Sequence, residues 1–267
     1  MGKRYSILHV PVLSFYNKSL YRDVCLNWKH SIFFYLLLLM AICTIPFIVT
    51  IQLAISDFVE NDAPDVVSQI PYIYFDDGKA SINETQPYAI YDPDTGEILG
   101  VIDTTGSMSS LSDSHGYVLI TETEALLWKS EVETRTFSFQ EIDNFTFEPA
   151  MITHWLEVIK KFMAPAFYPI AVLGCFIGRL IQVLVYAAIG LLFASWCKST
   201  RTYVELVRLA IVAVTPPIVI KTLFGLCDIS LPAAGLWYFL MAMGYLYYGI
   251  KASSADNAST TTLRATA

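Results

Sequence analysis

The chain has 267 residues, is 55% hydrophobic and only 15% charged, and its mean hydropathy is +0.50; a water-soluble globule typically carries about 25% charged residues, so a soluble fold is excluded. The formal net charge of −7 hides two opposed regions. Basic segments flank apolar runs, while residues 57–157 hold 20 acidic and three basic side chains, a balance that argues against nucleic acid as a partner.

The apolar residues are clustered in four runs: Ile32–Ile55, Ala164–Cys197 broken only by Arg179, Leu209–Ile220 and Ile229–Ile250. A bilayer core of ~30 Å needs about 20 apolar residues as helix. Tyr203–Leu226 reaches that length if Arg208 and Lys221 snorkel to the two interfaces. The predicted fold class is therefore membrane α with a small, mostly β ectodomain, and four transmembrane helices.

Residues 1–30 form a cytoplasmic amphipathic segment. Within 5–24, apolar residues alternate with Lys18 and Arg22, which fits a short interfacial helix under the inner leaflet; an irregular lead-in is the alternative. Trp28 stands where an interfacial aromatic is expected. Helix one spans 31–56 and contains Pro46. Its apolar stretch exceeds a signal peptide's core of roughly 7–15 residues, so it reads as a retained anchor.

The ectodomain covers 57–163. After a polar stretch, Asp57–Gln69, the pattern changes at Ile70. Ile70–Phe75 and Ala80–Ile82 around Asp76-Asp77-Gly78 predict a hairpin. Tyr88–Tyr91 and Ile98–Ile102 around Pro93–Gly96 predict a second, with short strands at Tyr117–Ile120, Ala125–Trp128 and Thr136–Phe139. Residues 150–163 read as an amphipathic helix entering the membrane.

Residues 164–251 form a three-helix bundle: 170–196, its start delimited by Pro165 and Pro169; 203–226, kinked at Pro216-Pro217; and 229–250. The Ser/Thr/Ala-rich stretch 252–267 reads as a disordered cytoplasmic tail. Basic residues gather before helix one, at Lys198 and Arg201, and at Lys251 and Arg264. Four crossings with both termini inside place all three groups on the cytoplasmic side, as the positive-inside bias requires, where they suit anionic lipid headgroups.

No motif assembles a complete active site or a cofactor site, so the chain reads as a non-enzyme. Asp92-Pro93-Asp94-Thr95-Gly96 has the form of a haloacid-dehalogenase nucleophile motif and, in part, of a calcium loop. The place of that loop's glycine is taken by Glu97, the phosphatase chemistry needs a doubly wound domain that this β-rich stretch cannot supply, and a turn is the simpler reading. Asp103-Thr104-Thr105-Gly106 is close to an aspartic-protease triplet, but that chemistry needs a second aspartate copy, and a strand end followed by a turn is the simpler reading. The four histidines are scattered, and none of the five cysteines sits at metal-ligand spacing. Gly174 and Gly178 form Gly-x-x-x-Gly, which permits close helix approach within the chain or in a homodimer. Arg179 is the sharpest feature: an intramembrane charge is a functional residue by default unless it snorkels. Asp228 is its nearest acidic candidate partner, and Glu205 and Arg208 are spaced to pair locally.

Ser14–Lys29 (SFYNKSLYRDVCLNWK), Pro46, Ile70-Pro71, Asp77-Gly78, Ile102–Thr105, Tyr203–Pro217 and Tyr245–Gly249 together resemble the bacterial membrane family known as domain of unknown function 1189, over nearly the whole chain except the tail. The form is similar to proteobacterial members, which implies the inner membrane and a periplasmic ectodomain. The C-terminal helices are similar in style to Yip-type membrane proteins, which act through partners. The expectation is a non-enzymatic accessory or scaffold protein with a protein partner in the cell envelope. A lipid or small-solute transport component and an extracytoplasmic sensor acting through a partner are the alternatives; a polar cavity beside Arg179 would favour transport.

Overall fold

The computed structural model describes residues 4–130, 133–197 and 199–265, with backbone alone for 255–265. It divides into a helical unit, residues 1–50 with 165–267, and a second unit, residues 51–164.

In the helical unit, a 3₁₀ turn (Ile7–His9) leads into α1 (Val10–Leu13) and α2 (Lys18–Asn27). Asn17 starts α2, accepting from the N–H groups of Ser19 and Leu20 at 2.9 and 3.2 Å, donors that a helix N-terminus leaves without partners. The apolar face of α2 is not turned to lipid headgroups as an interfacial helix would be. It packs on α7 (Tyr203–Leu226) and α8 (Ala234–Ala265), with Leu20, Tyr21, Val24, Cys25 and Trp28 fully buried. Amphipathic spacing identifies the dry face of a helix but not whether lipid or protein covers it.

Helix α7 is the centre of this unit, buried without a break from Leu209 to Ile218. It runs as one helix through Pro216 and Pro217. Thr202 and Glu205 open it with a reciprocal capping box. Glu205 turns to Arg201 at 3.5 Å instead of pairing with Arg208, whose guanidinium donates to the Cys25 carbonyl at 3.0 Å. Arg22 and Arg201 donate to the carbonyls of Ala252 and Ser253. The start of the expected disordered tail is thus held in α8, with Ala252 and Ser253 buried; beyond Ser254 the tail's side chains lie outside the described residues.

Two further long helices differ from expectation at their ends. Helix α3 (Ser31–Asp57) continues through a π-helical turn (Phe58–Asp62) into α4 (Ala63–Val67), so the polar stretch 57–69 is mostly helix. Helix α6 runs from Pro149 to Trp196 and passes through Pro165 and Pro169, which were expected to delimit its start near 170. Proline is tolerated within apolar membrane helices because neighbouring groups meet the freed carbonyls. Among the described residues three helical stretches are long and apolar enough to cross a membrane: 31–67, 149–196 and 203–226. Ile170, Leu173, Ile177, Ile181 and Leu184 lie exposed at three- and four-residue spacing on α6, an apolar stripe of the kind a soluble protein covers. This is a membrane protein.

The second unit carries two sheets. β1 (Ile73–Asp76) pairs with β2 (Lys79–Ser81) and with β8 (Phe145–Phe147), all antiparallel. Asp77 and Gly78 between β1 and β2 have φ of 46° and 77°, the two positive values that a type I′ hairpin turn demands. The other sheet has the order β3 (Tyr88–Tyr91), β4 (Ile98–Ile102), β5 (Val118–Ile120), β6 (Glu124–Ser130), β7 (Glu133–Ser138). Its β4–β5 pair is parallel, connected through α5 (Leu111–Ser114). Ile73, Ala80, Ile82, Ile102 and Phe139 form the shared core.

Candidate functional site

Three helices of the helical unit converge on a cavity of about 160 Å³. From α6 come Arg179, Gln182 and Tyr186; from α7 come Val214, Pro217, Ile218 and Lys221; from α8 come Gly235, Tyr238, Phe239 and Ala242. Each set recurs at three- or four-residue spacing, so each occupies one helix face. Arg179 lies 17 residues before the end of α6, and Lys221 lies 18 residues after the start of α7. At ~1.5 Å per residue each stands about 26 Å along its own helix from the α6–α7 connection, and both line the same cavity.

Arg179 does not pair with Asp228, which makes no ion pair among the described residues and does not line the cavity. Its Nη1 donates to Gln182 Oε1 at 2.5 Å, and Gln182 Nε2 donates to the Tyr186 hydroxyl at 2.5 Å. The side chain is therefore tied to its own helix, to a residue three positions toward the C-terminal end of α6. Since Gln182 donates to Tyr186, the tyrosine hydroxyl keeps its own proton for a further acceptor. Tyr186 is fixed by edge contact with Phe239, ring centroids 5.6 Å apart. Lys221 is exposed and has no hydrogen bond or ion pair among the described residues. Pro217 removes the α7 N–H that would have met the Ala213 carbonyl.

The other singled-out residues lie elsewhere. Gly174 and Gly178 have open space where a Cβ would stand, so nothing among the described residues packs closely there. Pro216 is buried in α7. Asp103, in the second unit, is fully buried. It accepts from the Thr105 N–H and hydroxyl (3.0 and 2.5 Å), the Ser107 hydroxyl (2.8 Å) and the Met108 N–H (2.6 Å). Burial pushes its carboxyl pKa up, but the hydrogen bonds from Thr105, Ser107 and Met108 outweigh burial and hold it below the ordinary aspartate value. Thr104 N–H and hydroxyl both donate to Gln86 Oε1. The segment 102–105 is thus a loop organiser with its carboxylate oxygens already occupied. Asp92 likewise accepts from Asp94 and Thr95 within a turn.

One polar centre was not singled out in the sequence. Asp23, almost fully buried, accepts from Trp28 Nε1 (2.9 Å), Asn27 Nδ2 (2.7 Å) and the N–H groups of Arg4 and Tyr5 (3.1 and 3.4 Å). Its signal was its place as the lone acid among five basic residues, five positions before a tryptophan. Burial raises its pKa, and the bonds from Asn27, Trp28, Arg4 and Tyr5 reverse that and lower it. Gln182 and Tyr186 were also legible, three and seven positions after Arg179 on one helix face.

No curated protein and no solved structure matches the chain. A family model described as "Protein of unknown function (DUF1189)" matches residues 12–250, from the first helical turns to the last buried residue before the tail, and the chain belongs to that family.

Proposed function

We propose that this chain is a non-enzymatic accessory protein of the bacterial inner membrane that binds a lipid or small solute within its helical unit. The observation that carries the reading is the cavity beside Arg179, lined by two cations and by Gln182, Tyr186 and Tyr238. Arg179 stands within the apolar run Ala164–Cys197, where a charge is a functional residue by default, and no described acid neutralises it. In this reading α8 is a fourth span, running charge-free from Ala234 to Ile250 and packed along α7. Its Trp237, Tyr238, Tyr245, Tyr247 and Tyr248 make it less apolar than the other three. Both termini lie in the cytoplasm and the second unit in the periplasm.

A second reading, a scaffold for an envelope protein, is favoured by β7. It is an edge strand exposed along its whole length, beside the exposed Tyr117–Trp128 edge pair. An unpaired edge is a template for strand addition.

Extraction of the chain from its native membrane in mild detergent, followed by mass spectrometry of what it carries, tests the first reading. A bound lipid or solute that is depleted in Arg179→Gln supports it. A protein that carries nothing, or the same molecules with and without Arg179, counts against it.

A further inference from the structure

Resting on that reading of the cavity, we propose that it is a binding site for a phosphate-type oxyanion, either a phospholipid headgroup or free phosphate. Three independent features point to the same charge. Arg179 offers a guanidinium whose only hydrogen bond among the described residues is to the neutral Gln182, leaving most of its five donors open. Lys221, on the α7 side of the same cavity, offers an ammonium without a partner among the described residues. Gly235 brings the first turn of the long helix α8 to the cavity wall, and a helix start presents unpaired N–H groups and the positive end of the dipole.

Two cations and a helix N-terminus repel one another when the space between them is empty, and each is satisfied by one multiply charged anion. A guanidinium fork with an ammonium beside it matches phosphate oxygens in geometry as well as charge. Tyr186 adds a hydroxyl whose proton is not given to Gln182, and Tyr238 adds a second hydroxyl at the wall. The volume favours a small headgroup, since 160 Å³ falls below the roughly 300–1,000 Å³ of sites for larger organic ligands. Val214, Ile218, Phe239 and Ala242 complete the wall and suit the first carbons of an acyl chain or a small apolar ester.

The test is thermal unfolding of the full chain in detergent. It is titrated separately with inorganic phosphate, with dioctanoyl phosphatidylglycerol and with dioctanoylglycerol, which has the same tails and no phosphate. Saturable stabilisation by phosphatidylglycerol but not by dioctanoylglycerol is expected, with a midpoint about tenfold or more weaker in Arg179→Gln and in Lys221→Gln. Stabilisation by inorganic phosphate as well assigns the site to the free anion. The proposal is overturned if neither phosphate compound stabilises the wild type, if dioctanoylglycerol stabilises equally, or if both variants respond as the wild type does. Arg179→Lys and Lys221→Arg keep the charge and serve where a glutamine variant does not fold; they must retain part of the response. A lipid that co-purifies through Arg179 but lacks phosphate overturns the anion assignment and leaves the binding function standing.

Discussion

Tyr21 lies over Gly249 so closely that a Cβ on Gly249 would stand 2.5 Å from Tyr21 Cδ1. The ring cannot retreat. Its hydroxyl donates to the Ser14 carbonyl at 2.6 Å, and Tyr248 presses its edge on it at 5.6 Å between centroids. Two stretches nearly the whole chain apart, Ser14–Lys29 and Tyr245–Gly249, thereby form one contact, which seats α2 against α8. Gly249→Ala is expected to destabilise the helical unit by roughly 1–3 kcal/mol through overpacking, seen as a lower melting temperature in detergent. Tyr21→Leu in the same chain should recover part of that loss. Gly174→Ala and Gly178→Ala should raise stability slightly, by about 0.5–1 kcal/mol, since Ala costs a helix less than Gly and nothing among the described residues faces them. A large loss at either would show that a second copy of the chain packs there.

Asp23→Ala removes the acceptor for the Trp28 indole N–H, the Asn27 amide and two backbone N–H groups. A buried donor left without a partner costs about 1–3 kcal/mol. The expected outcome is a melting temperature lowered accordingly, and faster hydrogen exchange at Arg4 and Tyr5. If those two amides keep wild-type protection, Asp23 does not hold the N-terminal segment.

Asp103 makes the second unit acid-sensitive. Its folded pKa lies below the ordinary value, so its contribution is complete above the unfolded pKa of about 3.9. That contribution is lost as pH falls through that value toward the folded one. Amide exchange at Thr105 and Met108 should therefore accelerate in acid, from about pH 4 downward. Asp103→Asn should be less stable at neutral pH and flatter across the acid range. Equal acid sensitivity in the variant would assign the effect to another carboxylate.

Features fixed by local chemistry were legible in the sequence. Asp77-Gly78 is the strongest short hairpin signal, and β1 and β2 follow from it. β8 was not foreseen, because three residues beside Asn144 carry no period to measure, and only pairing with β1 makes them a strand. The parallel β4–β5 pairing was equally hidden, since alternation marks a strand without naming its neighbour. Prolines misled at α6 because their cost depends on the solvent around the helix, which is a property of the fold. At the cavity, Arg179 was conspicuous by charge, whereas Lys221 read as an interfacial lysine. That both line one cavity depends on how α6, α7 and α8 pack.

Topology is open to direct measurement. In the proposed arrangement an engineered thiol at Ser112, exposed within α5, reacts with a membrane-impermeant reagent in intact cells. Thiols at Thr200 and Lys251, both exposed, react only after the membrane is opened. Ser253 would be a poor probe, because it is fully buried and its carbonyl accepts from Arg201, so silence there would report burial and not sidedness. Reaction at Thr200 from outside would mean that α6 does not cross once. The structure opposes a second crossing within it: α6 is one unbroken helix with no turn between Pro149 and Trp196. Two crossings would also carry Arg201 outside, against the positive-inside bias. Reaction at Lys251 from outside, with Thr200 protected, would leave three spans and remove α8 from the membrane. The close packing of α8 along α7 and the burial of Leu246 and Ile250 lead us to expect protection at both positions.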